Sequence, residues 1–507
     1  MRKYIILAFS LICTTLSAQI SRLARDMEYK AELNGQSGTG DYTPFWQTAN
    51  RYGLADPDNT SGYLRAGLGR DIKADSLRNW RIGYGADLVV PFGYTSHFIV
   101  QQLYADFQYK NIGLSVGQKE RAAELKNARL SSGGMTLGTN ARPLPQVRLD
   151  FFPNFTVIPR TKDWIALKGH LAYGCYTDNK WQREFNRGNH KTVYTANSLY
   201  HSKAGYLRIG NLEKFPVVLT GGCEMVCQFG GTVWNRGIPG QNPDGSFKME
   251  SGLKQMFQAF IPSGSDVTDG NNPNATGNHL GSYLARIDYH GKGWKASFYG
   301  EHFFEDHSQL GWDFAWKDMT YGAELQLPEN RFVSTLLYEH IRTTDQSGPV
   351  FVNVSNHVRP IGGVDCYYAH GIYGAYQHAG FVLGNPLLTS PIFNVNGDGT
   401  DGLYGAGSIN CPDNRILASH FGISGHPHQD LSYRILFTHE KSYGTYDKPY
   451  DNPRYGNFLL VEATYTPRRI QGLGITASYG QNGGTLLGRS KGAMLSVSYR
   501  GKVRKDK

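Results

Sequence analysis

Apolar and polar residues alternate in many short segments of the chain. In WRIGYGADLVVP at 80–91, Trp80, Ile82 and Leu88 fall on one face, while Arg81 and Asp87 fall on the other. A period of two is typical of a β-strand with one apolar and one polar face. The pattern returns in LYADFQYK, YLARIDY, TYGAELQL, YRILFTH and AMLSVSYR. About 16 to 18 such strands, separated by Gly- and Asn-rich turns, favour an all-β transmembrane antiparallel β-barrel with its apolar face toward lipid.

The first residues, MRKYIILAFSLICTTLSAQ, have a basic start, a short apolar run and small residues at Ser17 and Ala18. This is the pattern of a secretory signal peptide. We therefore expect residues 1–18 to be removed and residues 19–507 to form one barrel domain in the outer membrane of a Gram-negative cell.

Composition excludes several classes of protein. The mean hydropathy of −0.43 argues against a bundle of membrane helices. Aromatic residues make up 13% of the chain, with 32 tyrosines, which fits aromatic girdles at two membrane interfaces but also a soluble all-β protein. The odd number of cysteines left after signal removal argues against a full disulfide framework. The net charge of +10 is spread along the chain without a nucleic-acid-binding module.

Two segments interrupt the strand rhythm. KERAAELKNARL at 119–130 is rich in helix formers, and MESGLKQMFQAF at 249–260 places Leu253, Met256, Phe257 and Phe260 at helical spacing. One or two short helices in loops or in the lumen are therefore expected. The second helix would cover a loop, pack on a wall or plug the lumen.

The sequence motifs for catalysis or metal binding are incomplete. Ser115 lies in a nucleophile-elbow pattern, GLSVG, but inside a strand rather than at a strand-to-helix turn. The calcium-loop pattern that begins at Asn394 lacks the acidic twelfth residue, and His426 and His428 have no third metal ligand near them in the sequence. We therefore predict no catalytic residues, no metal and no cofactor.

Aromatic and planar polar side chains cluster in YTPFWQTANRYG at 42–53. Sugars stack on aromatic rings while their hydroxyls bond amides and guanidinium groups. Trp46, Asn50, Arg51 and Tyr52 are therefore candidate glycan-binding residues, with a barrel rim at the lipid headgroups as the alternative.

A second group of candidate residues consists of charged side chains that are expected to face the lumen. In NARPLPQVRLD the prolines predict a turn before a strand at 146–152 that places Arg148 and Asp150 on its polar face. Lys203 and Arg208 in YHSKAGYLRIG, and Glu224 in the next strand, complete the candidate lumenal charge network. Its role is either ion pairing within the wall or contact with an acidic polysaccharide.

An ordered set of segments resembles the capsule assembly Wzi family of outer-membrane proteins in its Bacteroides-type form. The set is YTPFWQTANRYG, GGMTLGTNARPLPQVRLD, YHSKAGYLRIG, FPVVLTGGCEMVCQFGG, NRILASHFGISG and SYRILFTHEKSYGTYDKP. The resemblance implies an 18-stranded barrel that is a lectin rather than an enzyme and that helps attach or assemble capsular polysaccharide. The implied partners are surface polysaccharide, outer-membrane lipid and the capsule-export machinery. Enterobacterial members have a helical plug near the N-terminus, whereas residues 19–60 here predict strand and loop.

Two alternative functions share the same barrel. An outer-membrane diffusion channel for sugars or small solutes needs an open lumen. A hydrolase that uses Ser115 needs a general base beside that hydroxyl.

Overall fold

Eighteen antiparallel strands form a closed barrel in the computed structural model. It describes residues 26–186, 193–235, 237, 240–264, 275–305, 317–328, 330–346, 366–396 and 406–503, so the predicted signal peptide lies outside the described residues. Each strand pairs with its neighbour in sequence, and the first pairs with the last, from Glu28 opposite Lys502 to Gly40 opposite Ser490. Closure leaves no sheet edge with unpaired backbone groups, which a bilayer requires.

The barrel strands are numbered β1 to β18 in chain order. They span Glu28–Gly40, Thr60–Arg70, Trp80–Phe92, Ile99–Tyr109, Ile112–Gln118, Gln146–Val157, Ile165–Cys175, Leu199–Ile209, Val217–Phe229, Asn278–His290, Lys295–Glu305, Met319–Gln326, Thr335–Arg342, Ile416–His428, Leu431–Gly444, Pro449–Tyr465, Leu473–Gly484 and Ser490–Lys502. The all-β barrel predicted from the alternation is confirmed.

Three short α-helices lie in the described loops: α1 at Phe45–Thr48, α2 at Asn179–Phe185 and α3 at Leu253–Phe260. Small strands at Tyr194–Ala196, Thr232–Trp234 and Ser246–Lys248 form a separate sheet. Among the described residues, none of the helices combines the length and the apolar character needed to cross a membrane.

The two faces of the wall follow the predicted alternation. On β3, Trp80, Leu88 and Val90 are exposed, whereas Asp87 and Val89 are buried toward the interior. At the end where the chain termini lie, Trp80 packs against Tyr109 with ring centroids 4.2 Å apart. The pairs Tyr29–Tyr499 and Tyr289–Trp294 lie at that same end, as expected of an aromatic girdle at one membrane interface.

The connections differ sharply between the two ends of the barrel. At the end with the termini they are short, such as 110–111 and 429–430, whereas at the other end they include 41–59, 119–145, 230–277 and 343–415. Short periplasmic turns and long outer loops are the rule for bacterial outer-membrane barrels. The long-loop end is therefore the outer end.

Three long-loop segments fold inward and fill the lumen. We call residues 41–59, 119–145 and 366–396 the plug. Its buried core includes Trp46, Leu130, Met135, Tyr368 and Tyr376, which form one contiguous apolar cluster. Backbone bonds tie the segments together, with the N–H of residue 52 donating to the carbonyl of 139 over 2.7 Å and that of 138 to the carbonyl of 383 over 2.9 Å.

Residues 119–130 are not helical, contrary to what their helix formers suggested. Side chains of the barrel wall contact backbone carbonyls of this segment that a helix would use internally. Arg286 Nη1 donates to the carbonyl of Leu125 over 2.9 Å, and His420 Nε2 lies 2.7 Å from that of Leu130. Tertiary bonds to side chains of β10 and β14 thus outweigh a weak intrinsic helix propensity.

A buried ion cluster fastens the same segment. Lys126 Nζ lies 3.0 Å from Glu301 Oε2 on β11 and 3.9 Å from Glu339 Oε1 on β13, and both glutamates are fully buried. Burial lowers the pKa of Lys126, but the two carboxylates outweigh it and raise the pKa above its ordinary value. Lys126 therefore stays charged and holds the plug to the wall at β11 and β13.

We expect Lys126→Met to destabilise the protein by about 3–5 kcal/mol, because it leaves two buried carboxylates without their cation. Thermal unfolding and protease cleavage within 119–145 measure the effect. The matched control is Lys180→Met, which breaks the exposed Lys180–Glu184 pair at 3.6 Å and should cost no more than about 0.5 kcal/mol. Equal effects of the two substitutions would contradict the role of Lys126.

Candidate functional site

A cavity of about 350 Å³ lies between the plug and the inner wall of β6 to β8. Seven charged side chains line it, five of them cationic: Lys119, Arg121, Arg142, Arg148, Lys168, Glu124 and Asp150. The lining therefore carries an excess of positive charge.

Three of the cations have carboxylate partners. Arg148 Nε bonds Asp150 Oδ1 at 2.7 Å, so the predicted contact within the charge network is present and faces the cavity. Lys168 pairs with Glu124, and Lys119 pairs with Asp106 on β4. The last two pairs join the segment after β5 to β7 and β4.

Arg121 and Arg142 differ from the other cations, because no described carboxylate lies within ion-pair distance of either. Arg121 Nη2 donates to Ser115 Oγ over 2.9 Å, and Arg142 Nη1 donates to Ser96 Oγ over the same distance. Burial lowers the pKa of each guanidinium to about 10, so both remain charged at neutral pH. A guanidinium has five N–H donors, and these neutral partners use only part of them.

Tyrosines and an amide complete the lining. Tyr52, Tyr200, Tyr206 and Tyr376 surround the cavity, and Gln146 Oε1 is a buried acceptor without a hydrogen-bond partner in the described part of the chain. Tyr206 donates its hydroxyl hydrogen to Glu224 Oε1 over 2.6 Å. The cavity thus combines ring faces, charged donors and a free acceptor, a set that suits a polar, ring-shaped, anionic ligand.

The predicted aromatic cluster 42–53 lies inside the plug. Trp46 is 2% exposed; its ring packs against Phe45 and His420, and Nε1 donates to Thr438 Oγ1 over 3.1 Å. Its indole is therefore part of the core, which gives it a packing role that the sequence motif did not show.

The three other candidates of this cluster occupy different positions. Asn50 Nδ2 donates to the carbonyl of Ser132 over 2.8 Å, and Arg51 pairs with Glu462 at 3.0 Å. Tyr52 is the member of the group that lines the cavity. The assignment of Trp46, Asn50, Arg51 and Tyr52 to glycan stays a prediction.

The candidate charge network is only partly assembled. Glu224 is buried in the lumen against Tyr206, and Arg208 stacks over the Phe155 ring, 3.6 Å from its centroid. Lys203 requires a correction, because it shares the outer face of β8 with the exposed residues Leu207 and Ile209 and bonds the carbonyl of Phe260. Strand parity explains this position, since odd-numbered residues of β8 point outward.

Sequence reasoning missed Arg121 and Arg142 as site residues. Arg121 lies in a segment that is rich in helix formers, and Arg142 lies in NARPLP, whose prolines predict a turn. Neither position carries a periodic signal, since both belong to irregular plug segments. Ser115 accepts the bond from Arg121, and no group of three or more His, Cys, Asp or Glu among the described residues could hold a metal ion.

No protein-family model and no curated protein matches the sequence. Among solved structures, the chain is similar to Wzi, an outer-membrane protein involved in group 1 capsule assembly in Escherichia coli and described as a carbohydrate-binding β-barrel. The TM-score is 0.55 at 13% identity, over 97% of this chain and 88% of Wzi.

Two further solved structures are more distant in shape. OccAB2 of Acinetobacter baumannii has a TM-score of 0.47 at 9% identity over 94% of this chain and 98% of its own. OpdL of Pseudomonas aeruginosa has a TM-score of 0.46 at 8% identity over 94% and 99%. The likeness to Wzi shows the fold of an outer-membrane β-barrel, and the resemblance to Wzi is confirmed at the level of the fold.

Asp56 is a titratable group buried in the plug. Its carboxylate accepts from the backbone N–H of Thr95 over 3.0 Å and from that of Asp58 over 3.1 Å. Burial raises the pKa of Asp56 from 3.8 to about 6, although these bonds and the charge of Arg142 lower it. A carboxyl whose pKa is raised by folding stabilises the folded state at low pH, and this contribution is lost as the pH rises through about 6.

We expect segment 41–59 to be packed less firmly at pH 7.5 than at pH 5, by about 1.4 kcal/mol, because the folded-state pKa lies about one unit above the lower pH. Hydrogen exchange of its backbone amides, corrected for the intrinsic pH dependence, measures this. Asp56→Asn should remove the pH dependence, because the amide oxygen still accepts from Thr95 and carries no charge. An unchanged pH profile in Asp56→Asn would rule out Asp56 as its source.

Proposed function

We propose that this protein is a non-enzymatic outer-membrane barrel that binds surface polysaccharide and helps assemble or attach the capsule at the cell surface. The observation that carries the proposal is the cavity in which Arg121 and Arg142 have no carboxylate partner and tyrosine rings form part of the wall. The proposal extends to the chemistry of the ligand, which should be a sugar that bears a carboxylate.

The match between cavity and ligand rests on three features. Arginine binds a carboxylate through two parallel N–H···O bonds, which no neutral sugar can accept in the same way. Tyrosine rings offer apolar faces to the C–H faces of a sugar. A cavity of about 350 Å³ lies at the small end of the range for ligand pockets and suits one or two sugar residues.

The likeness to Wzi supports the same class of function, since that protein is a carbohydrate-binding barrel. The likeness itself concerns the fold. The cavity of this chain supplies the independent argument, because its charge and its tyrosines are features of this sequence.

Arg121→Gln and Arg142→Gln should each weaken binding of a uronate-containing oligosaccharide about 10- to 100-fold, the range for loss of a charged hydrogen bond. Calorimetry on the purified barrel in detergent, with the neutral oligosaccharide of the same linkage as comparison, measures this. Arg78→Gln is the matched control, because Arg78 is half exposed in the short turn between β2 and β3. The neutral oligosaccharide should bind more weakly and respond little to either substitution.

Two outcomes would contradict the proposal. One is equal affinity for charged and neutral oligosaccharides with no effect of the two arginines. The other is normal capsule retention, seen by capsule staining, in cells whose only copy carries both substitutions.

The diffusion-channel alternative predicts a large ion current through the barrel, whereas the proposal predicts none. Because the plug fills the lumen among the described residues, the reconstituted barrel should show no large, steady conductance in a planar lipid bilayer. Deleting 127–143 from the plug should raise the conductance if the barrel still closes, which heat-dependent gel mobility checks. A large steady current through the unmodified protein would favour the channel.

A further inference from the structure

Helix α3 lies against the outside of the barrel. The hydroxyl of Tyr173 on β7 donates to the carbonyl of Met256 over 2.9 Å, and Lys203 on β8 bonds the carbonyl of Phe260. Ala259 packs with Cys227 of β9 in a small buried cluster. Tyr173, Lys203 and Cys227 belong to the outward-facing sets of their strands, so the suggestion that 249–260 plugs the lumen is wrong.

The polarity of α3 is inverted relative to a helix on a soluble protein. Its buried residues are Gln255 and Ala259, whereas Leu253 is 84% and Phe257 60% exposed. Ile261, which follows the helix, is 48% exposed. A helix in water turns its apolar stripe toward the protein, and this helix turns it away.

The exposed face continues an apolar surface that is already present. Farther along the same outer face, Leu207 on β8 and Leu219 on β9 are exposed, and the half-buried Met225 and Cys223 lie between Leu219 and the Cys227 contact with the helix. The helix meets the wall through Tyr173 and Cys227, close to where β7 and β9 end at Cys175 and Phe229. It therefore sits at the outer end of the lipid-facing wall.

We propose that α3 is an interfacial helix whose exposed face, Leu253, Phe257, Phe260 and Ile261, binds the acyl chains of lipid in the outer leaflet. The continuity with the lipid-facing wall favours lipid over a second copy of this chain. Short amphipathic helices lie at membrane interfaces in this manner. Lys203 stabilises the arrangement, because its ammonium group lies at the C-terminal end of the helix, where backbone carbonyls concentrate negative charge.

A photo-reactive p-benzoylphenylalanine replacing Phe257 tests the contact in phosphatidylethanolamine–phosphatidylglycerol vesicles. Phe298, 61% exposed on the outer face of β11, is the lipid-wall site for comparison, and Leu77, fully exposed in the turn between β2 and β3, is the apolar site outside the membrane. Mass spectrometry should find lipid adducts at 257 and 298 and few at 77. Heat-dependent gel mobility confirms that each variant has folded.

The other outcomes overturn the proposal in distinguishable ways. Lipid adducts at 298 but not at 257 would place α3 outside the bilayer. Adducts from 257 to a second copy of this chain would identify the helix as a protein interface. Absence of adducts at both 257 and 298 would contradict the membrane placement on which the proposal rests, and would leave the sugar-binding experiment in detergent unaffected.

A second measurement separates lipid contact from simple packing. Leu253→Ser combined with Phe257→Ser should raise hydrogen exchange of residues 253–260 several-fold in vesicles, because the helix loses its lipid contacts but keeps those of Met256 and Ala259 with the wall. Leu77→Ser is the control and should leave these amides unchanged. Equal exchange in the double variant and the unmodified protein would contradict the proposal.

Discussion

The interior of this barrel depends on charges that are buried inside it. A closed wall of eighteen strands encloses more space than the wall's own side chains fill. The plug occupies that space, and its backbone N–H and carbonyl groups need hydrogen-bond partners there. Lys126 between Glu301 and Glu339 shows how the structure offsets the free-energy cost of burying polar and charged groups. Each carboxylate also accepts from the plug backbone, Glu339 from the N–H of Ser132 over 2.7 Å and Glu301 from that of Met135 over 2.8 Å. Buried charges are tolerated only when they are matched in this way.

The same rule explains why the cavity stands out. Ion pairs match many of the described lumenal charges, as in Arg65 with Asp87 or Arg286 with Glu324. Arg121 and Arg142, without a described carboxylate within ion-pair distance, both line one space of about 350 Å³. A buried cation without a carboxylate is costly unless a ligand or solvent completes it, so two such cations beside one cavity support it as the candidate site.

Much of the fold could be predicted because a strand wall between lipid and a polar interior imposes a period of two on the sequence. That constraint acts on β3, where the predicted faces of Trp80, Leu88 and Asp87 are the observed ones. It does not act on the plug, whose segments bond to distant strands, so the composition of 119–130 suggested a helix that does not form. The period of two also places Lys203 on the outer face of β8. Its odd-numbered position in the strand predicts this better than its charge, which suggested the lumen.

The site was harder to predict for the same physical reason. Arg148 and Asp150 are strand residues, so alternation placed them in the lumen, and the structure pairs them there. Trp46 is a loop residue whose aromatic character fits both sugar stacking and a buried core, and its contacts with His420 on β14 and Thr438 on β15 bury it in the plug. α3 follows the opposite logic, because its apolar residues are outside while its amide and alanine are inside. A hydrophobic residue therefore indicates the protein core only where the surrounding solvent is water. The plug lies in a polar lumen and buries its apolar residues, whereas α3 faces lipid and exposes them.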